Sequence, residues 1–505
     1  MQSYVIGIDL GTGSAKAIAM DHSGQVIHTS QVSYPTLQPR PGYQEQAPEL
    51  IWQAFIKCIS RITSALKKSP DAICLSSAMH SVIPMDKNHQ PLMNMIIWAD
   101  NRSSAIATAI HNSAYGQELY EKTGTPIHAM TPLCKLRWLR EFESEIFLKT
   151  AKFISIKEFI WLRIFQLYEV DFSIASATGM MNIKEFEWNA RSLEVSSVRR
   201  DQLSSLVNTN HHRTCDDAVL CNQLGISRDT PVFIGASDGC LANVGSFATE
   251  EGDMALTIGT SGAVRVSGKK PMLNFKSMTF NYLLDKTTYV SGGPINNGGV
   301  ALKWYAENLL GKKLESPGDY ASILDTLKET SAGAEGLIFL PYVLGERAPI
   351  WNSDASGVFF GMRGYHRQAH FTRAVIEGIS VSLYDVAFNM IETGLDIKQI
   401  HVSGGFVHSD QWLQILADIF GRKVCLINAA DASATGASLL AMKDTGIISD
   451  YQQLKPVEIK EFHPDPMNMA SYRNVFLKYR KVYQHVRGLM VGPVGSQRTA
   501  DRGVT

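Results

Sequence analysis

Three glycine-rich turns could grip phosphate: Asp9-Leu-Gly-Thr-Gly-Ser14, Thr257-Ile-Gly-Thr-Ser-Gly262 and Ser403-Gly-Gly405. Glycine lets backbone N–H groups crowd around phosphate oxygens, and the hydroxyls of Thr12, Ser14, Thr260 and Ser261 add donors. The chain has neither a Walker A motif nor a G-x-G-x-x-G fingerprint, which disfavours the P-loop and Rossmann modes of nucleotide binding. Any one of these turns also reads as an ordinary hairpin. Three of them in one chain point to a bound nucleotide.

Two carboxylates sit where phosphoryl chemistry would need them. Asp9 ends an apolar run just before the first turn, where it could hold Mg²⁺ directly or through water, or simply cap the turn. Asp238 lies in Gly235-Ala-Ser-Asp-Gly239, after the apolar run from Pro231 to Ile234. There it could accept the proton of an attacking hydroxyl. Local sequence equally allows a plain Asp-Gly turn.

The elements that must position these residues alternate. Tyr4 to Asp9, Ala15 to Met20 and Gln25 to Ser33 read as a three-stranded meander, its second turn formed by Asp21-His-Ser-Gly24. Apolar residues at Leu50, Ile51, Ala54, Phe55, Cys58, Ile59, Ile62 and Leu66 have helical spacing. Ala72 to Ser76 reads as a strand, so the fold class is α/β. A second β-turn-β unit runs from Asp253 through Gly259 to Ser267, and its likeness to the first suggests two duplicated halves. Strands at Gln399 to Ser403 and Lys423 to Ile427 alternate with helices at Arg373 to Met390, Trp412 to Phe420 and Ala434 to Met442. The expected division is 1–245, 246–487 and a frayed tail over 488–505.

Composition sets bounds. The 505 residues suffice for a sizeable core in each of two or three domains. With 45% hydrophobic and 19% charged residues the chain is globular rather than disordered. Lys plus Arg total 48 against 48 Asp plus Glu, so no overall attraction to nucleic acid or anionic membrane is expected. Seven cysteines without a C-x-x-C pair read as buried thiols rather than disulfides or a zinc site. The chain opens on a strand rather than a leader pattern, and no run of 18 apolar residues is present. The expected location is the cytoplasm.

Taken together, the turns resemble those of the FGGY family of carbohydrate kinases. The likeness extends over residues 3 to 485. It includes Met130-Thr-Pro-Leu-Cys-Lys-Leu-Arg-Trp138, Gly357-Val-Phe-Phe-Gly-Met362, His370-Phe-Thr-Arg-Ala-Val-Ile-Glu377 and Val402-Ser-Gly-Gly-Phe-Val-His-Ser-Asp410. The resemblance implies two ribonuclease-H-like, actin-like domains with ATP and sugar in the cleft between them. It makes Asp238 the general base, and the local reading of Asp9 as the residue that organises Mg²⁺ stands beside it. It places Gly11, Thr12, Thr260, Gly299, Lys303, Gly405 and Ser409 near ATP, and the reading of the turns adds Ser14, Gly259 and Gly404. It places Met79, His80, Trp98 and Asp100 near the sugar. Asn296 could bond a sugar hydroxyl or make a turn. Without the family, His80 reads as a satisfied core histidine and Trp98 as core on an apolar strand.

Within the family, Ser77-Ala-Met-His-Ser81, Gly235-Ala-Ser-Asp-Gly239 and Gly292-Gly-Pro-Ile-Asn-Asn-Gly-Gly299 are most similar to bacterial members that phosphorylate gluconate. The partner implied is then a small sugar acid or sugar, and a homodimer is left open. A carboxylate on the substrate calls for a cation, and His80, Arg102, Lys135 and Arg265 are the candidates. Two rivals stand beside this: a xylulose or other pentulose kinase on the same scaffold, and an actin-type nucleotide switch without a sugar site.

Overall fold

The computed structural model describes residues 3–427, 431–456 and 458–490. The tail expected from residue 488 lies, beyond Met490, outside the described residues.

In chain order the first elements are β1 (Tyr4–Leu10), β2 (Ser14–Asp21), β3 (Val26–Ser33), α1 (Pro48–Leu66) and β4 (Ala72–Ser77). Helices α2 (Pro132–Phe142), α3 (Ile156–Phe165) and α4 (Phe172–Ser176) follow. Then come β5 (His212–Thr214), β6 (Pro231–Ser237) and α5 (Asp238–Gly245). The later part holds β7 (Asp253–Ile258), β8 (Gly262–Gly268), β9 (Phe280–Leu283), β10 (Tyr289–Ile295), α6 (Gly299–Leu309) and α7 (Gln368–Ile391). It ends with β11 (Gln399–Gly404), α8 (Asp410–Phe420), β12 (Lys423–Ile427), α9 (Ala432–Asp444), β13 (Glu458–Phe462) and α10 (Pro466–Val486). Shorter elements lie between.

One sheet has six strands in the order β5-β6-β4-β1-β2-β3, and another has seven in the order β9-β10-β8-β7-β11-β12-β13. Edge additions aside, each runs 3-2-1-4-5 counted from its own first strand. In the first, β1, β2 and β3 form an antiparallel meander, while β4 and β6 run parallel to β1. The duplication expected from the two glycine turns is therefore present in the strand order.

The chain packs into two compact units that are not contiguous in sequence. Of the described residues, the first holds 3–255, 265–292, 427, 431–456 and 458; the second holds 256–264, 293–426 and 459–490.

In the first unit β1 is buried on both faces, which is why its sequence is almost unbroken apolar. Ile6, Ile8 and Leu10 pack with α1 and α3, through Phe55, Ile59 and Trp161. Val5, with Ile18 and Met20, packs with α5 and α9 through Leu241, Val244 and Leu440. Gly7 faces that second layer: a Cβ on it would lie 2.0 Å from the carbonyl oxygen of Ala434. Helix α9 thus crosses β1 at backbone contact distance. Helix α1 carries the expected apolar positions but leaves Leu50 exposed, at the edge of the stripe by which Ile51, Ala54, Phe55 and Cys58 face inward.

In the second unit, α7 is long and apolar enough to cross a bilayer by length and composition, but most of it is buried inside the fold, so α7 is a core helix here. All seven cysteines are buried free thiols.

Helix α3 yields a pH prediction. Ser155 caps it, accepting from the Glu158 N–H, while the Glu158 carboxylate accepts the Ser155 N–H at 2.6 Å. Burial pushes Glu158 from an ordinary 4.5 up to about 7. The folded state then holds this proton to higher pH than the unfolded chain. Its stabilising contribution is complete below about 4.5 and is lost as pH rises through about 7. Glu158→Gln keeps the cap oxygen and removes the titration. Urea unfolding at pH 5 and pH 8 should show wild type losing up to roughly 3 kcal/mol relative to the variant. A constant difference between the two proteins would refute this.

Candidate active site

Asp9 and Asp238 belong to the same unit, at the same end of parallel strands. In register Asp9 stands opposite Ser76, and Ala236 stands opposite the other side of Ser76. Asp238 follows two residues on, so the two carboxylates leave the sheet about two strand spacings apart, roughly 10 Å at the backbone. The ends of parallel strands are where open α/β sheets bind ligands.

Asp238 is not in a turn. It is the first residue of α5, and Ser237 caps that helix by accepting the Cys240 N–H at 3.3 Å. Ser237 is itself held from α4: its N–H donates to Ser173 Oγ at 3.0 Å, and Ser173 Oγ pairs with Ser237 Oγ at 2.9 Å. Below them Lys157 and Asp171 form a fully buried ion pair at 2.8 Å, and Asp171 caps α4. The Asp238 carboxylate accepts its neighbour's Gly239 N–H at 2.7 Å. Burial raises its pKa, partly offset by the Arg265 guanidinium.

Asp9 accepts the Ser76 hydroxyl at 2.6 Å. Burial, then the negative fields of Asp238 and Asp431, push it up to about 8. Asp431 escaped the sequence reading. It caps α9 by accepting the Ala434 N–H at 3.1 Å and pairs with Lys16 of β2 at 3.3 Å. Its signal was an Asp before a run of small residues, which marks a helix start two residues earlier than the apolar spacing did. Three carboxylates from three segments thus repel one another against Lys16 and Arg265. Among the described residues no three of His, Cys, Asp or Glu converge as a metal-binding group, so Asp9 stands as a single candidate ligand for Mg²⁺.

The first glycine turn is held by side chains around it. Gly11 N–H bonds Ser14 O at 3.0 Å, and the Tyr34 hydroxyl donates to Gly11 O. Trp98 Nε1 donates to Thr12 Oγ1 at 2.8 Å, and Gln46 donates to Thr12 O. Ser14 Oγ accepts from Gln31 at 2.9 Å. Trp98 is half-buried in the turn after a two-residue strand, Met95–Ile96, rather than on a strand. It lines a cavity with Gly11, Thr12, Ala78, Met79 and Met95, so the turn shares a wall with two of the expected sugar residues, Met79 and Trp98, while His80 and Asp100 do not line it.

His80 is buried, with Nδ1 at 2.8 Å from Ala177 O and Nε2 at 3.3 Å from the Tyr282 hydroxyl. Its φ of 69° is left-handed, which costs energy in a non-glycine residue and needs firm support. Lys135 supplies it. The fully buried ammonium donates to His80 O at 2.6 Å, Ile97 O at 2.8 Å and Met130 O at 2.8 Å. Burial pulls its pKa down to about 7, yet three carbonyl acceptors match the three protons of the charged form. Asp100 is turned toward Arg102, which it chelates at 2.8 Å, and it accepts the Gln44 N–H at 2.6 Å.

The remaining predicted residues fall in the second unit. The Gly259 turn closes with Gly259 N–H on Ser261 O at 2.8 Å. Its carbonyls cap α6: Gly259 O takes the Gly299 N–H at 2.7 Å and Thr260 O the Val300 N–H at 3.1 Å. The third turn lies against it. Gly404 has φ 114°, and a Cβ there would sit 2.2 Å from Ile258 O. All three backbone segments therefore meet, with Gly405 opening a short 3-10 turn. Ser409 caps α8 by accepting the Trp412 N–H at 3.3 Å. Lys303 is half-exposed on α6, 3.7 Å from Glu307. Asn296 accepts from Arg347 Nε at 2.7 Å and donates to Leu344 O at 3.2 Å.

A duplicated 3-2-1-4-5 sheet with glycine turns at its strand connections defines an actin-like, ribonuclease-H-like two-domain fold, a class whose activity the site and not the sheet decides. The chain belongs to the FGGY family of carbohydrate kinases, matching that family's N-terminal domain over residues 4–245 and its C-terminal domain over 254–444. It is 38% identical to a gluconokinase of Bacillus subtilis (strain 168), across 97% of this chain and 99% of that one. Among solved structures, a gluconate kinase from Lactobacillus acidophilus superposes with TM-score 0.92 at 33% identity, covering 97% of this chain and 99% of its own. A ligand-bound xylulose kinase from the same organism also gives 0.92, at 34% identity and the same coverage. This protein is thus a carbohydrate kinase, with ATP as the phosphoryl donor its family implies.

Proposed function

We propose that the protein transfers the γ-phosphoryl group of ATP to the terminal hydroxyl of D-gluconate, giving 6-phosphogluconate and ADP. The observation that carries the reading is Asp238 at the head of α5, beside Met79 and at the same strand ends as Asp9. Similarity to gluconokinase over nearly the whole chain supports the choice of acceptor.

In this reading Asp238 orients the acceptor hydroxyl and takes its proton as the new O–P bond forms and the bond to ADP breaks. Its raised pKa makes it a better proton acceptor than a solvated aspartate. The Gly11 turn presents N–H groups and the Thr12 hydroxyl to transferring phosphoryl oxygens. Met79, His80, Trp98 and Asp100 form or brace the acceptor pocket. Asn296 is the one proposed acceptor contact carried by the second unit. The Gly259, Gly299 and Gly404-Gly405 backbones, with Thr260, Lys303 and Ser409, receive the nucleotide. Ser14 braces the first turn. Asp9 would hold Mg²⁺, with Asp431 nearby, and the ion would supply neutralisation of phosphate charge. Residues 1–245 and 246–487 are the corresponding functional halves.

ADP release should be assayed with gluconate, xylulose, glycerol and no acceptor. Gluconate is expected to exceed xylulose in kcat/KM by about 10²-fold or more, because a pocket built for polar groups rejects a substrate that leaves them unpaired. A preference for xylulose of that size would overturn the choice of acceptor. Full ATP turnover without any acceptor would overturn the kinase reading in favour of a nucleotide switch.

A further inference from the structure

A substrate oxyanion needs a cation, and three of the four candidates are already engaged. His80 is held between Ala177 O and the Tyr282 hydroxyl. Arg102 is clamped by Asp100 and Glu45 at 2.7–2.8 Å and stacks on Tyr43, its guanidinium carbon 4.0 Å from the ring centre. Lys135 spends its three protons on backbone carbonyls.

Arg265 is different. It projects from β8 toward the head of α5: its Nε lies 3.4 Å from where a Cβ on Gly239 would be, and the Met79 methyl lies 3.1 Å from the same point. Its Nη1 is sealed from solvent and has no hydrogen-bond partner. Among the described residues no carboxylate comes within ion-pair distance of it, although Asp238 is near enough for its field to be felt. A buried N–H on a charged group is expensive to leave unpaired, and a guanidinium fork is shaped for an oxyanion. Met79 and Gly239 put the Arg265 guanidinium, through its Nε, at the acceptor end of the site.

We propose that Arg265 receives an oxyanion through Nη1 when the site is loaded, and so acts as the anion-binding residue of the acceptor pocket. The proposal rests on the reading of Asp238 as the residue that meets the acceptor. Two sources present that chemistry: the carboxylate of an aldonic acid, and the phosphoryl group in transfer. The geometry makes Arg265 the cation for either.

The test is Arg265→Met, compared with wild type in D-gluconate binding by calorimetry without nucleotide and in turnover of gluconate and of xylulose. If the carboxylate is the partner, the gluconate Kd and KM rise about 10–100-fold while xylulose turnover stays within threefold. If the phosphoryl group is the partner, kcat falls about 10²-fold or more with both acceptors and the gluconate Kd is unchanged. Either result supports the proposal. A folded variant with Kd and kcat both within threefold of wild type overturns it. Should the Met variant fail to fold, Arg265→Gln keeps N–H donors without the charge and carries the same comparison. Asp238→Asn is run in parallel. Full activity there, with loss at Arg265, removes the base assignment and leaves the anion site standing.

Discussion

Asp238→Asn should lower kcat by roughly 10²–10⁴ while leaving ATP affinity within about threefold. The substitution is nearly isosteric, and the amide oxygen can still accept the Gly239 N–H that the carboxylate accepts at 2.7 Å. Ser433 bonds the backbone oxygen of Asp238, so that contact survives as well. What disappears is the proton acceptor. The variant should also fold at least as well as wild type. Asp238 contributes to the negative field that pushes Asp9 up to about 8, and removing its charge lets Asp9 ionise more easily. The measurement is steady-state ADP release together with nucleotide titration. A variant that turns over gluconate at near wild-type rate would end Asp238's role as base, whatever its effect on KM.

Gly436→Ala should cost the first unit about 3 kcal/mol or more, lowering its thermal transition on the order of 5–10 °C. Helices α5 and α9 cross here at backbone contact. A Cβ on Gly436 would lie 1.9 Å from Leu241 O, 2.7 Å from its carbonyl carbon and 3.0 Å from Gly245 N. The fit is mutual, since a Cβ on Gly245 would lie 1.9 Å from Ala432 O. None of these obstacles is a side chain that could swing aside. Alanine gains about 1 kcal/mol of helix propensity over glycine, too little to offset the separation of two packed helices. Activity should fall together with stability. Helix α5 carries Asp238 at its first position, and α9 carries Asp431 as its cap. Gly364→Ala is the control, for a Cβ there meets nothing within 4 Å. Equal transitions for the two variants would show that the crossing is not rigid.

The meander, α1 and the strand before Asp238 were legible in the sequence because their signals are local. Alternation, helical spacing and an Asp-containing turn need only neighbouring residues to act. The same holds for the glycine turns, whose composition marks them wherever the chain later places them. Asp238 as a helix start was not legible. The sequence offered both a Ser cap and an Asp-Gly turn there, and the structure takes the cap, with Ser173 on a helix distant in sequence accepting the Ser237 N–H. Trp98 read as a strand residue because its apolar neighbours Met95 to Ile97 look like one. The structure ends that strand at Ile96, and Trp98 turns to Thr12.

Lys135 shows the limit most clearly. As a lysine in a recognisable string it looked like a free cation, available to a substrate carboxylate. Folding surrounds it with the carbonyls of His80, Ile97 and Met130, and its charge becomes a brace for the loops that carry His80 and Trp98. Arg265 went the other way, from one candidate among four to the one with an unpaired buried donor. Sequence alone determined the α/β class, the repeated glycine turns and the family, because residue type and spacing carry those directly. Which charges cancel, which remain unspent and how closely two helices approach was decided only in three dimensions. Electrostatic fields and steric contact depend on distances between segments that the order of residues does not state.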